Sequence, residues 1–248
     1  KGQLLPEIRK RYISVLNSDI TKYAEPFVGG GAVLFDIVSK HNFKEVYISD
    51  INPELINAYK VIRDNVDELI AELLSMQESF IPLDKEERKV FYYQARDEYN
   101  NIKINGNASH NQRKAALMIF LNRTCFNGLY RVNSKGLFNV PMGDYKNPII
   151  CDKENLLAVS KALKNIEIVC GQFTESESFI DKHTLVYFDP PYRPLNETSN
   201  FTSYTETAFD DEQQKRLAAY IDHLSTKGAK IIASNSDRKN NDPNDDFF

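Results

Sequence analysis

Asp189-Pro190-Pro191-Tyr192 follows directly on the apolar run Thr184-Leu185-Val186-Tyr187-Phe188. Together they supply a carboxylate, a rigid carbonyl and an aromatic ring, the groups needed to hold a planar, amine-bearing base and make its nitrogen attack. Two successive prolines fix φ near −65° and hold the residue before each in extended geometry, so the Asp189 and Pro190 carbonyls project with little freedom. A plainer reading is a Pro-Pro turn leaving a strand, with Tyr192 as a surface aromatic.

A second constellation is Glu25-Pro26-Phe27-Val28-Gly29-Gly30-Gly31. Glycines here let backbone come close to a ligand. The GxGxxG spacing expected of a dinucleotide site is absent. Glu25 and Phe27 suit instead a cationic, purine-containing ligand. Asp50 lies nineteen residues after Gly31, a spacing that matches a carboxylate binding ribose hydroxyls. Glycine turns and helix-flanking aspartates are also ordinary in α/β proteins.

These residues need a scaffold. Lys22–Phe27 reads as a strand, Ala32 to about Lys40 as a helix, and Glu45–Asp50 as a second strand, which makes a βαβ unit. Asn52 and Pro53 give an N-cap and first-turn proline to one helix whose apolar positions run from Leu55 to Leu73. From about Phe80 to Leu163 the pattern changes. A helix over Glu86–Tyr99, a polar stretch Asn100–Asn111 and a helix over Gln112–Asn122 precede a turn-rich segment, 123–141, with Asn127-Gly128 and Lys135-Gly136 as turn signals. This is expected to be an inserted domain ending in a β-hairpin. The α/β pattern then resumes with strand Ile166–Cys170, helix Ser176–Lys182, strand Thr184–Asp189, a helix capped by Asp210 and running to about Ser225, and strand Lys230–Ala233. The apolar run before Asp189 reads as buried on both faces, as in parallel sheets, and ligands of such sheets bind beyond the carboxyl ends of the strands.

The chain has 248 residues and 42% apolar composition, enough for one large domain or a core with an insertion. No run approaches the ~18 apolar residues of a membrane span, and there is no signal-like start. Cys125, Cys151 and Cys170 occupy unrelated contexts and read as reduced thiols of a cytoplasmic protein. His41, His110, His183 and His223 are at no metal spacing, so no metal is expected. The net charge is −4, yet 111–150 carries six basic residues against Asp144 alone, and 1–23 carries five against Glu7 and Asp19. Two basic stretches in an acidic chain fit a local polyanion-binding face, or equally solvated basic loops. The start at Lys1 and the end at Phe248 read as cut ends.

In order, the Glu25–Gly31 motif, an insertion and Asp189-Pro190-Pro191-Tyr192 resemble the alpha group of S-adenosylmethionine-dependent DNA adenine-N6 methyltransferases. Leu121-Asn122-Arg123, Phe126-Asn127-Gly128-Leu129, Arg131, Gly136, Phe138-Asn139-Val140-Pro141, Gly143 and Tyr145-Lys146 resemble the recognition hairpin of the Dam/DpnM-type branch. The resemblance spans nearly the whole chain. It implies a Rossmann-like methyltransferase sheet (1–55 and 164–248) with an inserted helical plus β-hairpin DNA-recognition domain (56–163), acting as a monomer on double-stranded DNA with S-adenosylmethionine as cofactor.

An exocyclic adenine amine is a poor nucleophile because its lone pair is conjugated into the ring. Acceptors on both amine hydrogens, the Asp189 carboxylate and the Pro190 carbonyl, favour a tetrahedral nitrogen, so positioning and electrostatics carry the catalysis. Tyr192 would stack on a base flipped out of the duplex, with Pro191 completing the rigid turn. The resemblance further implies that Lys1, Glu25, Phe27, Gly29, Gly31, Asp50, Phe173 and Asp189 line the cofactor site. It implies that Leu129, Arg131 and Pro141 read base edges, that Phe126 and Asn127 enter the space near the flipped base, and that Arg123 contacts phosphate. Arginine suits guanine and the apolar pair thymine methyls, which makes GATC the expected site, with a related GAT-containing site next. Asp144 departs from the pattern, where a basic residue is usual; for Leu129 and Pro141 packing within the hairpin is the alternative. Two other functions stay open: methylation of cytosine N4, against which Asp189 in place of serine argues, and a DNA-binding module with a vestigial cofactor site.

Overall fold

The computed structural model describes residues 4–192 and 209–235. These fall into two compact units, one built from 4–51, 165–192 and 209–235, the other from Asn52–Lys164.

The first unit holds a five-stranded, wholly parallel sheet: β1 (Lys22–Glu25), β2 (Glu45–Asp50), β3 (Ile166–Cys170), β4 (Thr184–Phe188) and β5 (Lys230–Ala233), in the order β3-β2-β1-β4-β5. The chain builds outward from β1 through β2 to β3, then returns to β1's other side with β4. The strand order therefore reverses between β1 and β4, where parallel sheets open a crevice at their carboxyl ends. The register Lys22↔Thr184, Tyr23↔Leu185, Ala24↔Val186 makes these two strands leave the sheet side by side. Every residue of β4 is buried, as its unbroken apolar run requires for a strand covered on both faces.

Helix α1 (Leu5–Val15), not anticipated from the sequence, is tied to α2 (Ala32–Val38) through Asp36. Arg9 donates to Asp36 from Nε at 3.1 Å and Nη2 at 2.5 Å, Tyr12 from its hydroxyl at 2.5 Å, and Lys40 from Nζ at 2.5 Å. Arg9 first among these donors holds the Asp36 carboxyl well below the usual carboxylate range. Helix α8 (Asp211–Thr226), capped by Asp210 Oδ1 accepting from the Gln213 amide at 3.0 Å, buries Leu217, Tyr220 and Leu224 in a core with Phe173, Val186 and Phe188.

The second unit is helical. The expected single helix from Pro53 to Leu73 is two, α3 (Pro53–Asp64) and α4 (Val66–Phe80), broken at Asn65, whose φ/ψ of −138°/42° is not helical. Asn65 ends one helix and begins the next: its amide donates to Val61 and its carbonyl accepts from Leu69. Asparagine competes with helical hydrogen bonding, so two apolar stripes can be continuous in sequence period and separate in space. Helix α5 (Lys85–Asn105) starts at an Asp84/Glu87 capping box and runs well into the stretch read as a polar linker. The cause is tertiary. Asn100 donates to the Phe138 carbonyl at 3.0 Å and accepts its amide at 2.9 Å, and Ile102 is buried in the core. Helices α6 (Asn111–Thr124) and α7 (Lys153–Leu163), the latter also unanticipated, complete the unit. In the first unit the expected helix at Ser176–Lys182 is instead a 3-10 turn over Phe173–Ser178.

The segment 125–142 is a loop closed by two antiparallel bridges, Cys125↔Met142 and Val132↔Phe138, without a laddered strand pair. It is held from below by Tyr92, whose hydroxyl donates to the Val140 carbonyl at 2.8 Å.

Candidate active site and recognition loop

In the first unit the sheet's carboxyl edge gathers the residues singled out by sequence. Glu25, the last residue of β1, is 2% exposed and accepts a hydrogen bond from Tyr23 Oη at 2.6 Å. Burial, and then the charge of Glu25, push the Tyr23 phenol well up, so it stays a neutral donor. The glycine turn follows: Val28 donates to the Ser49 carbonyl at 3.0 Å and the Gly29 amide to Asp50 Oδ2 at 3.1 Å. The turn after β1 and the carboxylate ending β2 are thus one structure. Gly29 and Gly31 have φ of +47° and +68°, values that favour glycine. A Cβ built on Gly29 or Gly30 would meet nothing within 4 Å, so this backbone faces open space.

Phe27 is half-buried and stacks on Phe173 at 5.5 Å between ring centroids. Phe173 itself is 3% exposed and belongs to the core, with Phe209 and Tyr220 against it. On the other side of the strand reversal, Asp189 is half-buried, Pro190 buried, and Pro191 and Tyr192 exposed. Burial raises the Tyr192 phenol above its ordinary value, as does Tyr187, while a hydrogen bond with Ser234 opposes the rise. Lys1 lies outside the described residues.

Open glycine backbone, two carboxylates and a half-buried aromatic ring fit a cationic ligand bearing hydroxyls and a purine. The chemistry of this donor set therefore fits S-adenosylmethionine. Among the described residues no group of three or more His, Cys, Asp or Glu side chains could hold a metal ion, and no helix is long and apolar enough to cross a membrane.

Sequence reasoning missed the supports. Gln214 on α8, 4% exposed, donates from Nε2 to the Pro191 carbonyl at 3.0 Å. The Ser234 amide donates to the Phe188 carbonyl at 2.8 Å, and the hydroxyls of Tyr187 and Ser234 are 2.7 Å apart. One signal for Gln214 was available: it shares the helical spacing of Leu217, Tyr220 and Leu224, a polar residue on an apolar stripe.

In the second unit, Phe126, Asn127, Leu129 and Pro141 are exposed and lie on one closed loop, and Arg123 is exposed in the last turn of α6 just before it. Phe126 is 52% and Leu129 40% exposed, so neither is packed as core. Asn127 takes φ of +55° and is followed by Gly128 at +61°, a tight turn fixed by Asn122 Nδ2 donating to the Gly128 carbonyl at 2.8 Å. Arg131 is half-buried and donates from Nε to Asn139 Oδ1 at 2.9 Å. Asp144 is exposed and pairs with Lys85 at 3.2 Å, a surface pair worth little on its own.

A parallel sheet reversing between β1 and β4, with a glycine turn, a carboxylate after β2 and an Asp-Pro-Pro-Tyr turn at its carboxyl edge, defines a Rossmann-like S-adenosylmethionine-dependent methyltransferase. The D12 class N6 adenine-specific DNA methyltransferase family matches residues 1–247, and this chain belongs to it. It is 52% identical over 237 residues to Type II methyltransferase M.MjaIII of Methanocaldococcus jannaschii, covering 95% of this chain and 81% of that protein. It is 41% identical to Type II methyltransferase M1.LlaDCHI of Lactococcus lactis subsp. cremoris, covering 95% of this chain and 78% of that one. It is 35% identical to the DNA adenine methylase of Escherichia coli K12, covering 86% and 71%. The chain is a DNA adenine-N6 methyltransferase, and the methyl donor of the family is S-adenosylmethionine. Cytosine-N4 transfer and a non-enzymatic DNA-binding module are thereby set aside.

Proposed function

We propose that this enzyme methylates adenine N6 in GATC, acting as a monomer on double-stranded DNA and on a base flipped out of the duplex. The observation that carries the reading is Asp189-Pro190-Pro191-Tyr192 at the end of β4, next to the glycine turn that ends β1. S-adenosylmethionine supplies a sulfonium methyl when bound. The Asp189 carboxylate and Pro190 carbonyl accept the two amine hydrogens and direct the nitrogen lone pair outward. Tyr192, exposed beside them, stacks on the base, and Pro191 keeps the turn rigid. Asp50 takes the ribose hydroxyls, Gly29 and Gly31 let the backbone approach, Glu25 completes the polar lining, and the half-buried Phe27 flanks the purine, backed by the buried Phe173 stacked behind it.

The sheet unit is the catalytic domain in this reading and the helical unit the target-recognition domain. Arg131 reads guanine, Leu129 and Pro141 contact thymine methyls, Phe126 and Asn127 enter the space near the flipped base, and Arg123 grips phosphate. The exposure of Phe126, Leu129 and Pro141 supports this, because side chains that serve packing alone would be covered. A role in restriction-modification belongs to the same reading; M.MjaIII and M1.LlaDCHI are both named Type II methyltransferases.

Methylation of plasmid DNA followed by mapping of modified positions tests base and site together. Modification outside GATC removes the site assignment. Asp189→Ala is expected to keep DNA binding and lose methyl transfer; retained transfer would overturn the role given to Asp189.

A further inference from the structure

We propose that Gln214 is a positioning residue for the Asp-Pro-Pro-Tyr turn, holding the Pro191 carbonyl so that Tyr192 is set before substrate arrives. The inference rests on the reading of that turn as catalytic.

The proline rings fix φ at 190 and 191, and Pro191 following Pro190 restricts ψ at 190. The torsion left soft on the way to Tyr192 is ψ of Pro191, and it sets the direction of the Pro191 carbonyl. Gln214 Nε2 donates to that carbonyl at 3.0 Å. A carbonyl only accepts, so the amide orientation is fixed: nitrogen toward Pro191 and Oε1 toward Asn235, whose Nδ2 donates to it at 3.4 Å. Asn235 follows Ser234, and Ser234 holds the other flank of the turn through its amide on the Phe188 carbonyl. The turn is therefore bracketed by one hydrogen bond just before Asp189 and one just before Tyr192, both anchored by the end of β5 and the start of α8.

Such a bracket fits a turn that must be preorganised. At 4% exposed, Gln214 cannot exchange its lost acceptor freely for water, so the contact persists in the folded protein. Fixing that torsion reduces the misplacement of Tyr192, an effect that falls on the chemical step rather than on cofactor affinity.

Single-turnover methyl transfer to plasmid DNA, with affinities for S-adenosylmethionine and DNA measured separately, tests this. Gln214→Leu keeps the volume without the donor. The transfer rate is expected to drop about tenfold, the worth of one hydrogen bond, with both affinities within about twofold of wild type. Gln214→Glu gives the second readout. Its carboxyl donates only when protonated, so its transfer rate, relative to wild type at each pH, is expected to rise as pH falls from 8 to 5.5. Thermal unfolding of Gln214→Glu at each pH separates this from the general cost of burying an ionised carboxylate, which would lower stability in parallel with rate; a positioning role predicts that the rate falls at pH values where the variant is still fully folded. A wild-type rate in Gln214→Leu, a loss confined to affinity, or a Gln214→Glu profile that superimposes on wild type overturns the proposal. Should Gln214→Leu fail to fold, the Gln214→Glu profile decides alone. Retained transfer in Asp189→Ala would instead remove the catalytic reading of the turn, whatever Gln214 does.

Discussion

Alanine at Gly30 separates a ligand cradle from an ordinary turn. Gly30 has no left-handed φ, and an added Cβ meets nothing within 4 Å. Gly30→Ala therefore leaves the free protein as stable as before, or about 0.4–1 kcal/mol more stable because the unfolded chain is restricted. The methyl nevertheless enters the open space that the glycine turn presents. If that space takes S-adenosylmethionine, the ligand must shift from the backbone, and loss of about 1.4 kcal/mol of contact weakens binding about tenfold. Gly29→Ala is the companion. Its φ of +47° costs a side chain about 1–2 kcal/mol, so the melting temperature is expected to fall by about 2–8 °C. Calorimetric titration with S-adenosylmethionine, alongside thermal unfolding, reads both terms. Wild-type affinity in Gly30→Ala would refute the cradle.

Three further substitutions have outcomes set by the geometry. Asp36→Asn is expected to lower stability by about 2 kcal/mol, since the Arg9, Tyr12 and Lys40 hydrogen bonds all converge on its carboxylate. Because the folded-state carboxyl is held well below its ordinary value, this contribution is present above the unfolded value near pH ~3.9 and is lost as pH falls below it. Denaturant titrations of both proteins should accordingly converge in acid, and a constant gap down to low pH would contradict the assignment. In the recognition loop, Arg131→Ala is expected to relax discrimination at the guanine by about 1–3 kcal/mol. Arg123→Ala should weaken binding to all sequences alike and reduce the salt slope by about one; competition binding on single-base variants at several salt concentrations distinguishes the two.

Much of the candidate site was legible along the chain because its parts are local. The glycine turn, the carboxylate after β2 and the Pro-Pro turn each lie within a few residues of a strand end, and strands announce themselves by apolar runs. The parallel sheet was legible for the same reason: β4 is uniformly apolar because it is buried on both faces. Helix limits were less so. Asn65 breaks a stripe whose period continues across it, and Asn100 extends a helix through its reciprocal pair with Phe138, thirty-eight positions away in sequence.

What the sequence determined by itself was therefore the inventory of candidate reacting groups and the strands that end in them, since these depend on residue type and short spacing. Tertiary structure decided which groups are held and by what. Arg131 is steadied by Asn139, and the Asp-Pro-Pro-Tyr turn is bracketed by Gln214 and Ser234, because a carbonyl finds its donor through space. The strand order placed the β1 and β4 turns side by side, although Glu25 and Asp189 are far apart along the chain. No local pattern encodes that adjacency. It follows from packing two parallel strands against each other and burying both faces of the second.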